Sequence, residues 1–152
     1  MANIMVRPAT IHDVRAIISD GVRDADALEC KRAGFSVEKG ITRSFELSTV
    51  CRVAVLDGKI IAIWGVGGDI IGTMGRPWLF TAPGIEKYPL WMVKEGRKQV
   101  GEMLELYGRL LNFVDAEYAG ALAFVKILGF SVGEPRAVFS GPDLFCKIER
   151  KR

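Results

Sequence analysis

The apolar residues of this chain follow two patterns, one typical of helices and one typical of strands. Near the start, Thr10 can cap a helix with Asp13 at its third position, and apolar residues then recur three or four apart. The apolar stripe of that helix consists of Ile11, Val14, Ile17 and Ile18. In the middle, apolar residues run almost without interruption over 60–66, which predicts a strand covered on both faces. Shortly before it, Asp57-Gly58 is the strongest hairpin turn signal in the chain.

The whole pattern predicts a strand, two or three helices, three strands, a long helix, a strand, a helix and two closing strands. The predicted strands span 4–7, 51–56, 59–66, 78–81, 109–114, 131–132 and 139–148, and helices begin near 10, 24, 37, 88 and 119. Strands joined by hairpins precede strands joined by helices. This order predicts an α/β (α+β) fold, a mixed sheet with helices on both faces.

Five glycines lie between positions 65 and 75, where the predicted strand 59–66 ends. They could form a nucleotide-binding loop, but the chain has neither Gly-x-Gly-x-x-Gly spacing nor a Walker lysine there, and no clear helix follows. A hairpin with bulges is the favoured interpretation. Trp64, Trp78 and Trp91 fall at strand and helix positions, so we expect them in the core rather than on a stacking surface.

The composition is typical of one soluble domain. A chain of 152 residues, 49% of them apolar, suits a single domain over 1–152 with a substantial core. The net charge of +3 comes from basic residues mixed with acids, which argues against a nucleic-acid partner. The longest apolar run is too short to cross a bilayer, and residues 1–10 lack the apolar stretch of a signal peptide. We therefore expect a cytoplasmic protein without a membrane partner.

Three cysteines and one histidine limit the possible chemistry. Cys30, Cys51 and Cys146 are far apart and odd in number, which indicates reduced thiols rather than a disulfide framework. They lack metal-ligand spacing, and His12 has no candidate partners. Neither a metal site nor a Ser-His-Asp or Cys-His arrangement is supported.

The segment Leu110–Phe130 is the most specific part of the chain. It predicts a short buried strand, a turn and an apolar helix that ends at Gly129-Phe130. With the opening segment Val6–Asp13, it resembles the GNAT (GCN5-related N-acetyltransferase) superfamily, and the helix end Lys126–Phe130 is similar to the superfamily segment Y-x-K-x-G-F. A narrower resemblance, to the GNAT-like proteins of short-tailed bacteriophages, rests on Gly75–Leu79, Leu110–Asp115 and Phe124–Phe130.

The resemblance implies a mixed, mostly antiparallel sheet of six to seven strands and an enzyme that transfers an acetyl group from acetyl-CoA to an amine by direct attack. In the superfamily, the fourth and fifth strands splay apart, pantetheine pairs with the fourth strand, and the pyrophosphate binds amides at the start of the next helix. Carried over to this chain, the cofactor-binding residues are Leu79, Phe80, Thr81, Gly84, Lys87, Tyr88, Asn112 and Phe124. The acceptor would be a small-molecule or protein amine, a homodimer is possible, and the setting would be a bacterial host cytosol if the chain is phage-encoded.

Direct attack needs a proton acceptor for the amine and a proton donor for the departing thiolate. The catalytic candidates are Tyr118, Asp69 and Asp115, with Glu46 and Glu86 as further acids and Tyr107 as a second tyrosine that is more typical of the core. Asp115 suits a helix cap better than a base. Asn112, in an apolar strand, could bind either neighbouring backbone or ligand amides.

Two positions depart from the superfamily pattern. Val125 stands where the superfamily has the tyrosine that protonates the thiolate, and the loop around Gly84 lacks the motif Q/R-x-x-G-x-G/A. These departures favour an alternative, a catalytically inactive GNAT-like protein that acts in virion assembly or binds a host protein.

Overall fold

Eight strands and five helices are present in the computed structural model, which describes residues 3–69 and 72–152. The strands are β1 (Ile4–Pro8), β2 (Val50–Leu56), β3 (Lys59–Gly68), β4 (Met74–Thr81), β5 (Arg109–Asp115), β6 (Ser131–Val132), β7 (Arg136–Ala137) and β8 (Leu144–Lys151). The helices are α1 (Ile11–Asp20), α2 (Asp24–Ala33), α3 (Val37–Leu47), α4 (Pro89–Leu106) and α5 (Ala119–Ile127). A 3₁₀ turn, Ile85–Lys87, joins β4 to α4.

The strands form one mixed sheet in the order β1-β2-β3-β4-β5-β8-β6, with β7 also paired to β8. Among the described residues, only β4 and β5 pair in parallel. The predicted fold class is confirmed. The sheet has eight strands rather than the six or seven expected, because the two-residue β7 was not predicted. The last strand begins at Leu144 rather than Phe139, after Gly141-Pro142.

Helices cover both faces of the sheet, as the sequence predicts. On one face, Val14 and Ile17 of α1 and Ile41 of α3 pack against Val53 and Ile63. On the other face, α4 and α5 pack against the sheet through a second set of buried side chains: Val66, Val100, Leu104, Leu110 and Leu128. The centre of the sheet, where β4 and β5 are neighbours, therefore lies between two helical layers.

Two local predictions are confirmed in detail. Thr10 and Asp13 form a capping box at the start of α1, and Arg7 donates two hydrogen bonds to the Asp13 carboxylate, at 2.7 and 2.8 Å. The turn between β2 and β3 has positive φ at both Asp57 (51°) and Gly58 (75°), as a tight primed hairpin turn requires.

The glycine-rich segment 65–75 includes the β3–β4 hairpin that the sequence predicts, but no bulge interrupts its described strand pairs. The β3–β4 pairing runs without a register shift from Ala62–Thr81 to Gly68–Gly75. A Cβ atom on Gly68 would lie 2.0 Å from a ring carbon of Tyr107, and one on Gly75 would lie 2.7 Å from that ring. The glycines make room for Tyr107, which is buried in the core as expected.

Neither a membrane-crossing helix nor a metal centre is found in the part of the chain that the structure describes. None of the described helices is long and apolar enough to cross a bilayer. No group of three or more His, Cys, Asp or Glu side chains among residues 3–69 and 72–152 could hold a metal ion.

Candidate active site

The splayed strands β4 and β5 form the main cleft. Their parallel pairing covers only Met74–Arg109 and Gly75–Leu110, and the two strands separate beyond these residues. Pro77 has no backbone N–H, so it cannot extend the ladder toward β5. A cavity of about 620 Å³ fills the gap, with residues of α2 and α3 lining it on one face and residues of α4 and α5 on the other.

Strand register determines which main-chain groups of β4 face this gap. The amide of Ala82 donates to the carbonyl of Ile61 at 2.9 Å, so in an antiparallel pair Phe80 and Trp78 also direct their main chain to β3. Leu79 and Thr81 direct theirs to the gap. Of the predicted strand residues, Phe80 therefore lines the cavity but has its amide turned away from the gap.

The amide, hydroxyl and carbonyl of Thr81 all form hydrogen bonds with α2 or with the residue before it. Its amide and its Oγ1 donate to Asp26 Oδ2, at 2.7 and 2.8 Å, and its carbonyl accepts from the amide of Arg23 at 2.9 Å. The main chain of Thr81 thus has partners within the protein. Leu79 is the β4 residue whose main chain faces the open part of the gap.

Asn112 connects the two strands near the narrow end of the gap. Its Nδ2 donates to the carbonyl of Pro77 at 2.6 Å, and its Oδ1 accepts from the amide of Phe113 at 2.8 Å. Of the two possibilities open from the sequence, neighbouring backbone is the one observed. The side chain also lines the cavity.

Tyr118 meets α2 at the wide end of the gap. Its hydroxyl donates to Asp26 Oδ1 at 2.7 Å and accepts from Arg23 Nη2 at 3.1 Å. Burial, reinforced by the negative charge of Asp26 and by this hydrogen bond, raises the pKa of Tyr118. The phenol is therefore a weaker proton donor than an ordinary tyrosine.

Glu29 is a second α2 carboxylate in the cavity wall. Its Oε2 accepts from the amide of Asp115 at 2.9 Å. Burial raises the pKa of Glu29 from 4.5 to about 7, and the nearby charges of Asp26 and Asp115 act in the same direction. A carboxyl group that titrates near neutral pH suits a general base.

Asp115 is buried, but it does not line the cavity. Its carboxylate pairs with Arg32 Nε at 2.6 Å and accepts from the amide of Glu117 at 2.9 Å. Arg32 also pairs with Glu117 and Asp143, so Asp115 belongs to an ion-pair cluster that fastens the turn before α5. Asp115 therefore stabilises the turn before α5, whose N-terminus has no side-chain cap, and its place outside the cavity does not support a catalytic role.

The other predicted acids do not meet in the cleft. Asp69 accepts from the amide and hydroxyl of Thr73 between β3 and β4 and lies outside the cavity, as does the exposed Glu46. Glu86 lines the cavity, but its carboxylate accepts from the amide of Gly84, at 3.0 and 3.2 Å. Its own amide and that of Gly84 lower the pKa of Glu86.

The loop after β4 contains three predicted phosphate ligands. Gly84 has a φ of 102°, which favours glycine, and Tyr88 precedes Pro89 at the start of α4. Lys87 is exposed at the end of the 3₁₀ turn. Gly84, Lys87 and Tyr88 lie beside the cavity rather than in its wall.

The α4–α5 face of the cavity is mostly apolar, with Glu95 and Gln99 of α4 as its polar members. Phe124 lines it as predicted, together with Trp91, Met92 and Val125. Gly96 of α4 lets the two helices approach closely, since a Cβ there would lie 3.1 Å from the ring of Phe124. Val125 cannot donate a proton, so it provides contact surface only.

The polar wall of the cavity was not predicted from the sequence; it consists of Asp26 and Glu29 of α2 and of Arg23, which precedes the helix. A signal was present. Asp26, Glu29 and Cys30 are spaced to share one face of a helix that has few apolar residues to bury. Carboxylates at helical spacing beside the apolar Cys30 indicate a polar face that is turned toward the interior.

Comparison with known proteins gives structural likeness alone. No protein-family model and no curated protein matches the chain. A GNAT-family acetyltransferase from Streptococcus pneumoniae is similar with a TM-score of 0.66 at 13% identity, over 98% of this chain and 99% of that one. The yncA structure from Salmonella typhimurium, which contains acetyl-CoA, gives 0.69 at 14%, over 97% and 93%. AAC(6')-Ib in complex with ribostamycin and coenzyme A gives 0.69 at 13%, over 99% and 94%. The chain therefore has the fold of the GNAT acetyltransferases.

Proposed function

We propose that this chain is an acetyl-CoA-dependent N-acyltransferase that transfers the acetyl group to an amine by direct attack. The observation that carries the proposal is the gap between β4 and β5, in which the Leu79 main chain faces a cavity of about 620 Å³. Similar folds hold acetyl-CoA or coenzyme A in yncA and AAC(6')-Ib. Acetyl-CoA would supply an activated thioester.

The residues of the gap suit a pantetheine arm. The Leu79 amide and carbonyl would pair with it as a neighbouring strand would, and Phe124 and Val125 would cover its apolar parts. Phosphates would lie near Gly84 and the start of α4, with Lys87 as the nearby cation.

Proton transfer is assigned to Glu29. As a carboxylate it can accept a proton from the amine, and its raised pKa lets it hold that proton near neutral pH. Tyr118 is a positioning residue in this proposal, because its hydroxyl already donates to Asp26. Water would protonate the departing thiolate.

The alternative is a GNAT-like protein without turnover. One observation in its favour is Val125, which stands at the position of the superfamily's proton-donating tyrosine and has no proton to donate. The other is Glu86, whose carboxylate accepts a hydrogen bond from the Gly84 amide that a phosphate would use. The resemblance to phage GNAT-like proteins remains a prediction from Gly75–Leu79 and the two later segments, and it fits either function.

Calorimetric titration with acetyl-CoA tests the proposal. We expect saturable one-to-one binding, and release of free thiol when a suitable amine is added. Leu79→Pro removes the amide that faces the gap and should weaken binding about ten-fold, the scale of one lost hydrogen bond.

Leu79→Ala is the matched control, since it shortens the side chain but keeps the amide. Pro77 already occupies the equivalent orientation two residues earlier, so proline should be compatible with the strand. No heat at high micromolar acetyl-CoA would contradict the enzyme and favour the alternative. Equal weakening by both variants would mean that the Leu79 amide does not bind the cofactor.

A further inference from the structure

We propose that the acceptor is a primary monoamine on an apolar body about the size of an aromatic ring. This inference rests on the proposed function and names its substrate class. The acceptor would bind on the α2–α3 side of the cleft, opposite α4 and α5. We call this region the acceptor chamber, and define it by Glu29, Cys30, Phe35, Trp78, Phe113 and Phe139.

Strand alternation directs aromatic side chains into this chamber from both sides of the gap. Trp78 of β4 packs with the core that contains α1 and α3. On β5, Val114 packs with the core under α4 and α5, so Phe113 projects to the opposite face. The chamber is therefore flanked by aromatic rings on both β4 and β5.

Two further aromatic rings stand at the open side of the chamber. Phe35 is 41% exposed and Phe139 is 36% exposed, which is high for large apolar side chains that line a cavity. Phe139 rests edge-on against Phe145, with ring centroids 4.7 Å apart. Burial raises the pKa of the Cys30 thiol to about 12, so this part of the wall is uncharged. An apolar ligand would cover these surfaces.

Glu29 is the one carboxylate among the residues that define the chamber. Of the other charged side chains that line the cavity among the described residues, Arg23 and Asp26 both bond to the Tyr118 hydroxyl, Glu86 accepts from the Gly84 amide, and Glu95 accepts from Gln99. Glu29 accepts one backbone hydrogen bond. Arg136, outside the lining, lies 5.7 Å from the centre of the Phe113 ring. One ammonium group can pair with Glu29.

A second cation would lack a partner in this chamber. Polyamines and aminoglycosides carry several ammonium groups, and burying an unpaired charge against aromatic walls is costly. An arylalkyl amine instead places its ring against Trp78 and Phe113 and its single ammonium at Glu29. The chamber thus favours monoamines over polycations.

The reaction balances with these groups. The bound ammonium gives one proton to the Glu29 carboxylate and becomes a neutral amine. Its nitrogen then bonds to the acetyl carbon as the carbon–sulfur bond breaks. The electron pair of that bond leaves on sulfur, and the second proton lost by nitrogen passes through water to the thiolate. The products are the amide and the free thiol.

Amine binding without acetyl-CoA tests the chamber independently of the transfer reaction. Phenethylamine, spermidine and kanamycin are titrated at one fixed ionic strength, with tryptophan fluorescence and calorimetry as readouts. We expect phenethylamine to bind at least about ten-fold more tightly than either polycation. Glu29→Gln and Phe35→Ala should each weaken phenethylamine binding several-fold, whereas Glu38→Gln, on the exposed side of α3, should leave it unchanged.

Spermidine or kanamycin binding as tightly as phenethylamine would overturn the inference. So would absence of phenethylamine binding at about 10 mM, or binding that neither chamber variant weakens. These outcomes are separable from failure of the proposed function. If the chain binds acetyl-CoA but prefers polycations, the proposed function stands and the monoamine specificity of the chamber is wrong. If it binds phenethylamine but not acetyl-CoA, the monoamine specificity stands and the proposed function is wrong.

Discussion

Glu29 is the residue whose chemistry depends most on its surroundings. Its carboxylate lies beside Asp26 in the cavity wall and accepts a hydrogen bond from the amide of Asp115, 86 residues away in sequence. Burial favours the neutral form of the acid, which is why its pKa lies near 7. The same burial that fits Glu29 for proton transfer also makes its ionised form destabilise the fold.

Glu29→Gln should therefore stabilise the protein at alkaline pH. Between the usual pKa of 4.5 and about 7, the folded chain holds a proton on Glu29 that the unfolded chain has lost, so folding stability falls as pH rises. The shift corresponds to a loss on the order of 3 kcal/mol, complete above pH 7. Glutamine does not ionise, so the variant has no such loss of folding free energy, and its side-chain oxygen can still accept the hydrogen bond from the Asp115 amide.

Urea unfolding of both proteins at about pH 5 and pH 8 measures this difference. We expect the variant's advantage in unfolding free energy to be larger at pH 8. The neighbouring groups Asp26, Cys30, Asp115 and Arg32 are present in both proteins. An advantage that is the same at both pH values would contradict a raised pKa.

At the scale of elements, the loop between β4 and α4 contains a carboxylate where a phosphate would bind. Glu86 accepts from the Gly84 amide and lines the cavity. Backbone amides that hold a carboxylate can also hold a phosphate, but both anions cannot occupy them together. In the proposed function, the loop must therefore release Glu86 before the pyrophosphate of coenzyme A can bind the Gly84 amide.

Glu86→Ala should tighten acetyl-CoA binding about five-fold, because it frees the Gly84 amide and removes a like charge from the phosphates. Acetyl-pantetheine lacks the pyrophosphate, so its affinity should not change. Glu38→Ala is the control for loss of one exposed carboxylate. Equal gains for both ligands would show that Glu86 does not oppose the phosphates.

Local elements could be predicted from sequence because their signals are local. The Thr10–Asp13 capping box and the Asp57-Gly58 turn involve residues at most three apart. The spacing of Asp26 and Glu29 indicates a polar face on α2, but the partners of that face could not be predicted, since Asp26 meets Thr81 at a separation of 55 residues and Tyr118 at 92. Such contacts depend on where α2 packs against the sheet, which periodicity does not determine.

At the scale of the whole molecule, the sequence predicts a single domain over 1–152. The sheet includes strands from both ends of the chain, since β1 pairs with β2 and the final strand β8 pairs with β5. Unfolding followed by tryptophan fluorescence and by far-ultraviolet circular dichroism should therefore give one coincident transition. Two separate transitions would contradict the single domain.

In the proposed function, acetyl-CoA pairs with the β4 main chain inside the gap. Amide hydrogen exchange, followed residue by residue by NMR, tests it most directly. We expect the Leu79 amide to exchange readily in the free protein and to become protected at saturating acetyl-CoA, whereas the Phe80 amide, bonded to β3, should be protected in both states. A Leu79 amide whose exchange does not change at saturation would contradict the claim.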